Sequence, residues 1–163
     1  MEGASNTGGA RPLAEGVEIR DAAIEDIEEL LPLMRAYCDF YEADPPDDGL
    51  RTMARALIED STQGVMLIGR DPAGAAVGFA TIGWKWSSLK GARIGYLEDL
   101  FVEPNARGGG IADALIGACA DRCRERGMPA MEWLTAPDNH RAQAVYDRLG
   151  GTSEALLEYD LEL

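Results

Sequence analysis

Glu98 and Asp99 stand side by side in a run that is otherwise aromatic, aliphatic and β-branched, Tyr96-Leu97-Glu98-Asp99-Leu100-Phe101-Val102. Carboxylates inside an apolar strand are costly to bury, so such a pair either has a task or faces water. Strand alternation sends at least one of them to solvent, and a bulge would redirect either. Just beyond, Arg107-Gly108-Gly109-Gly110 leads into Ile111, Leu115, Cys119 and Cys123, a recurrence every four residues that marks one helix face. A helix N-terminus offers unpaired N–H groups and the positive end of a dipole, and glycines let a ligand approach that backbone closely. The combination suits a phosphate or pyrophosphate. Farther on, Asn139, Gln143 and Tyr146 are spaced to share one face of another helix, with Asn139 as a good N-cap.

Other reactive types carry less. Cys119 and Cys123 lie one helical turn apart, but the chain has 3 cysteines and 1 histidine in all. That count argues against a metal site or a disulfide framework, and small core residues are the plainer reading.

The elements that must position these residues follow from periodicity and turn residues. Strands are predicted over 17–20, 65–69, 76–86, 96–102, 130–134 and 156–161. Helices are predicted over 23–42, 50–59, from 111 to about Arg126 with Gly127 as its cap, and over 139–149. Pro32 interrupts the first helix, which predicts a kink or break near Leu31. The order is β-α-α-β-β-β-α-β-α-β, a mixed α/β arrangement with no internal repeat. It reads as a single domain over 16–163. The opening stretch 1–15 has no apolar signal core and reads as a disordered leader.

The chain has 163 residues, 46% hydrophobic, enough for one domain with a real core. No run approaches the ~20 apolar residues of a membrane span, so no membrane partner is expected and the cytoplasm is the default location. With 29 acidic against 15 basic residues, the net charge is −14. That balance disfavours nucleic acid and attracts cations; solubility alone explains it equally well.

The glycine turn lacks the Gly-Lys-Ser/Thr of the P-loop and the spaced glycines of the dinucleotide fingerprint. Val102, Pro104, Arg107, Gly110 and Ala112 instead resemble the V-x-P-x-x-R/Q-x-x-G-x-G/A signature of the GNAT family of N-acetyltransferases. Asn139, Ala142, Tyr146 and Gly150 resemble a second segment of that family, N-x-x-A-x-x-x-Y-x-x-x-G. Gly151 departs from it where the family has Phe or Ala, which leaves the C-terminal register open. The resemblance runs from Val17 to the C-terminus. It implies the GNAT acyl-CoA N-acyltransferase fold, with a mixed, mostly antiparallel central sheet, acetyl-CoA as co-substrate, no metal, and a homodimer.

The resemblance also assigns roles. Gly108, Gly109, Gly110, Ile111 and Ala112 would hold the pyrophosphate with Arg107. Leu100, Phe101 and Val102 would pair with the amide-bearing arm as a strand edge does, and the Val102 amide would donate to the developing oxyanion. Asn139, Ala142 and Tyr146 complete the cofactor side. A lysine-like amine, with pKa near 10.4, is neutral in about one molecule in a few thousand at pH 7, so a base is needed. Glu98 is the expected base, directly or through water, and Asp99 the expected cation-binding partner. The family places its acid at Tyr146, which would protonate the departing thiolate. The Tyr96–Val102 run resembles the branch acting on diamines and small amino compounds. Trp84 and Trp86 on the preceding strand, and Tyr37, Phe40 and Tyr41 from the first helix, are candidate walls for an amine pocket, although aromatic clusters are commonly core. An acetyltransferase acting on a small cationic primary amine, a diamine or an amino acid derivative, is the leading reading. Acetylation of protein or peptide lysines or N-termini, and a non-catalytic acyl-CoA-binding module, stay open.

Overall fold

The computed structural model describes residues 9–163. Of the expected leader, residues 1–8 therefore lie outside the described residues. The chain divides into two compact units, one spanning Arg11–Leu134 and the other including Thr135–Leu163.

The first unit is built on a meander. The apolar runs form β2 (Gly64–Arg70), β3 (Ala76–Ser87) and β4 (Ala92–Val102), paired antiparallel in sequence. The β2–β3 turn is set by Asp71, whose Oδ1 accepts from the Ala73 and Ala75 amides at 3.0 and 2.9 Å. β1 (Glu18–Asp21) adds antiparallel to β2, and β5 (Met131–Glu132) adds parallel to β4, giving the order β1-β2-β3-β4-β5. The expected strand over 130–134 shrinks to that residue pair, and β4 begins earlier than expected, at Ala92.

Helices α1 (Ile27–Phe40) and α2 (Asp47–Glu59) cover one face of the sheet, where Leu30, Leu33, Met34, Leu50 and Ala54 pack with Met66, Ile68 and Phe79. Helix α3 (Ile111–Glu125) covers the other, burying Ile111, Leu115, Cys119 and Cys123 as their spacing requires. β2 is buried on both faces, which explains its unbroken apolar run. Of the expected kink or break near Leu31, a break does not occur: α1 continues through Pro32. A proline inside a helix costs about 3 kcal/mol. Pro32 points outward, while Leu30, Leu33 and Met34 are buried, each gaining roughly 1.5–3 kcal/mol, so burial outweighs the missing bond.

A buried acid fastens β1, β2 and the start of α1. Asp26 is 4% exposed and accepts from Arg20 Nη1 at 2.6 Å, Arg20 Nη2 at 2.9 Å, Arg70 Nη2 at 2.6 Å and the Ala23 amide at 2.7 Å.

The second unit carries α4 (His140–Arg148). The expected strand over 156–161 does not form; residues 151–163 have no regular structure. The alternation of Leu157, Tyr159 and Leu161 suits a strand, but a strand needs a ladder partner, and among the described residues this segment has none. Leu157 and Tyr159 stand 81% and 88% exposed.

Candidate functional site

The ladder between β3 and β4 slips by one residue. Thr81 pairs with Asp99 and Ile82 with Leu97, so Glu98 is the extra residue of a bulge. Without the bulge, adjacent residues would point to opposite faces. With it, the two acids act on the same side. Asp99 accepts from Thr81 Oγ1, and the Tyr37 hydroxyl of α1 reaches the same carboxylate. That hydroxyl also donates to the Glu98 carbonyl at 3.4 Å. Burial, with Asp99 beside it, pushes the Tyr37 phenol well above its ordinary range. Tyr37 packs edge-on to Phe79 at 6.0 Å and against Tyr41 at 5.0 Å, whereas Phe40 and Tyr41 are exposed.

The Glu98 side chain opens into a cleft of about 400 Å³ lined by Gln63, Gly83, Trp84, Lys85, Tyr96 and Glu98. Its carboxyl is held above the usual glutamate range. Glu98 is an exposed residue, and the main cause is the partial burial of its side chain, then the neighbouring Asp99; Lys85 pulls the other way. Such a carboxylate accepts a proton more readily than an open one. Trp84 lines this cleft, with its indole N–H donating to the Ser61 carbonyl at 2.9 Å and Arg126 over its ring at 4.7 Å. Trp86 stands 77% exposed and is absent from the cleft lining.

Beyond the bulge, the outer edge of β4 has no strand partner among the described residues. β5 pairs only with Gly95 and Tyr96. The Glu103 amide donates to Val77 on β3 at 2.8 Å, so alternation points the Leu100 and Val102 amides to the outer edge. Phe101 instead packs into the core beside Phe79, at 6.3 Å. Arg107 Nε donates to the Val102 carbonyl at 2.7 Å and its guanidinium lies 5.9 Å from the Phe101 ring, tying the glycine turn back to the strand.

After the 3-10 turn Pro104–Ala106, Gly108 and Gly110 adopt φ of 87° and 80°, where glycine alone is unstrained. Gly110 is the N-cap of α3 and has no side chain to satisfy the amides of Ile111 and Ala112. Those amides and the dipole suit an anion, so the turn fits the diphosphate end of a nucleotide cofactor. The chain segment before β1 lies against this turn: Arg11 N–H donates to Asp113 Oδ2 at 2.6 Å, and Ala14 N–H to the Gly109 carbonyl at 3.3 Å.

In the second unit, Asn139 caps α4 as expected, its Oδ1 accepting from the Ala142 amide at 3.2 Å. Gln143 Nε2 donates to the Ala136 and Pro137 carbonyls. Tyr146 is half-buried on α4, and Gly150, at φ 85°, ends the helix.

Sequence reasoning missed Lys85, Tyr96 and Glu132. Lys85 Nζ lies 4.3 Å from the centroid of the Tyr96 ring and 3.4 Å from Glu132 Oε2. One signal was present: Tyr96 precedes Glu98 by two, so it tends to the same strand face. Among the described residues, no group of three or more metal-ligating side chains converges, and no helix is long and apolar enough to cross a membrane.

Comparison with known proteins adds to this geometry. The family model of the acetyltransferase (GNAT) family matches residues 30–151. An uncharacterised N-acetyltransferase, YhfO of Bacillus subtilis (strain 168), is 30% identical over 134 residues, covering 82% of this chain and 89% of that protein. The thialysine N-epsilon-acetyltransferase of Bos taurus is 27% identical over 145 residues, covering 82% and 83%. Among solved structures, the aminoglycoside N-acetyltransferase AAC(6')-Iy in complex with CoA shares the fold, with a TM-score of 0.80 at 24% identity over 94% of this chain and 99% of that one.

Proposed function

The chain belongs to the acetyltransferase (GNAT) family, and we propose that it acetylates a small cationic primary amine, such as a diamine or an amino acid derivative. N-Acetyltransferase activity is what the family establishes. The bulge of β4 carries the finer reading, because it brings Asp99 beside Glu98, which opens on a cleft next to a strand edge where the Leu100 and Val102 amides point outward.

The residues fit acetyl-CoA as donor. The turn Arg107–Ala112 would hold the pyrophosphate and the Leu100–Val102 edge the amide arm, and the family resemblance adds Asn139, Ala142 and Tyr146 as cofactor residues. Acetyl-CoA supplies an activated acyl carbon and a thiolate leaving group. Glu98 takes a proton from the substrate ammonium, directly or through water, and so frees the neutral amine to attack. The Val102 amide donates to the acyl oxygen as charge builds there. Tyr146 donates its proton to the departing sulfur. Asp99, held by Thr81 and Tyr37, adds negative charge behind Glu98 and favours a cationic substrate. The net charge of −14 steers in the same direction. The bovine relative is named for acetylation of thialysine, also an amine.

A homodimer belongs to this reading. It is supported by the exposed, alternating Leu157, Tyr159, Leu161 and Leu163, which have no ladder partner among the described residues. Sedimentation tests it.

The activity test is CoA release from acetyl-CoA across a panel of diamines, amino acids, monoamines and lysine peptides. Turnover highest on small diamines or amino acid derivatives supports the proposal. Turnover confined to lysine peptides would assign the cleft to protein substrates instead.

A further inference from the structure

Lys85, Tyr96 and Glu132 come from three adjacent strands, with Gly83 paired to Tyr96 and Tyr96 to Glu132 across the ladders. The Lys85 ammonium sits 4.3 Å from the Tyr96 ring centroid and 3.4 Å from Glu132 Oε2. An aromatic face and a carboxylate are the two groups that recognise a primary ammonium. This seat opens on the cleft that Glu98 lines. Tyr96 precedes Glu98 by two positions on β4, roughly 7 Å of strand, a separation that a short diamine spans.

We propose that the Tyr96–Glu132 pair is the subsite for a substrate's second ammonium, and that Lys85 sets specificity by occupying it until such a substrate displaces it. The inference rests on the amine-acetylating reading above and adds to it the residues that choose the amine. Lys85 is half exposed on a flexible stem, so it withdraws into solvent at little cost. Its own charge is shared between Glu132 and the neighbouring Glu98. A diamine replaces the lost lysine contacts with its own distal ammonium. A monoamine displaces nothing and gains nothing from the seat.

The test compares butane-1,4-diamine with butylamine for the wild type, Lys85→Met and the double variant Lys85→Met/Glu132→Gln. Methionine keeps most of the apolar stem and removes the charge. Lys85→Met should raise the ratio of kcat/KM for diamine over monoamine severalfold, to about tenfold, since a cation–π contact and an exposed ion pair together carry that much. Adding Glu132→Gln should remove most of the gain. A ratio unchanged or lowered in Lys85→Met, or a gain that survives Glu132→Gln, overturns the proposal. Calorimetry of butane-1,4-diamine binding gives a readout independent of turnover, and Lys85→Met should bind it correspondingly tighter. Failure of the wild type to acetylate any amine falls on the activity reading. The seat is then decided by calorimetry, where binding no tighter than wild type rejects it.

Discussion

Asp26 and Glu98 are both acids set among apolar residues, and the chain treats them in opposite ways. Asp26 is buried and takes hydrogen bonds from two guanidinium groups and a backbone amide. The Arg20 guanidinium above all holds its carboxyl well below the usual range, against the effect of burial. Glu98 faces an open cleft, and its carboxyl is held above the usual range by lost hydration and by Asp99. An acid locked as an anion by arginines fastens elements together. An acid raised toward neutrality at a cleft is suited to taking up a proton. Charge within an apolar setting does not by itself separate fastening from chemistry; the partners do.

Removing each acid should therefore break different things. Asp26→Ala leaves the Arg20 and Arg70 charges without their common partner, and urea denaturation should show a loss of about 3 kcal/mol. Turnover per folded molecule should hold. A loss below ~1 kcal/mol would erase the structural half of the comparison.

Tyr146→Phe probes the proposed acid. Turnover should fall by about 10² with acetyl-CoA affinity nearly unchanged. A variant that melts like an unfolded chain would show Tyr146 to be a packing residue.

The glycine turn is best challenged at Gly109. At Gly110 any side chain is strained by φ 80°, and a Cβ would meet the Pro12 carbonyl at 2.5 Å, so that substitution would disturb the turn itself. At Gly109 the nearest atom would be the Ala106 carbonyl oxygen at 3.8 Å. Gly109→Asp should weaken acetyl-CoA roughly tenfold, because it sets a negative charge where the α3 dipole would meet the pyrophosphate. Calorimetry showing unchanged affinity would move the phosphate site elsewhere.

The smallest effects should be on stability against pH, and their signs should differ. Asp26 is depressed in the fold, so its contribution is complete above its ordinary value of 3.8 and is lost as pH falls through the folded-state value. Glu98 is raised, so its effect favours the fold below its ordinary value of 4.5 and is lost as pH rises. Melts between about pH 7 and about pH 3 should show Asp26→Asn losing less on acidification than wild type. Glu98→Gln should change stability at neutral pH by under ~0.5 kcal/mol, toward stabilisation.

Much of this was legible in the chain because it is local. The glycine turn, the Ile111–Cys123 face and the Asn139 cap depend on residues within a few positions, and all three stand as read. The bulge was open as an option but not locatable, since it depends on Thr81 lying opposite Asp99. The seat at Lys85 needed three strands in register and left no trace in any one of them. The continuity of α1 at Pro32 and the state of the segment 156–161 both depend on tertiary neighbours that local pattern does not show. The helix survived its proline through tertiary burial, while the alternating segment lacked the neighbour that makes a strand.

The most direct test of Glu98 as the base is the pH profile of kcat/KM on one amine for wild type and Glu98→Gln. The wild-type acid limb should lie above the ordinary glutamate range, because the base must be unprotonated and its carboxyl is raised. Glu98→Gln should be about 10²–10³ slower near neutrality, with the deficit shrinking as pH rises and more of the amine is already neutral. An equal deficit at every pH, or no deficit at all, would contradict the account.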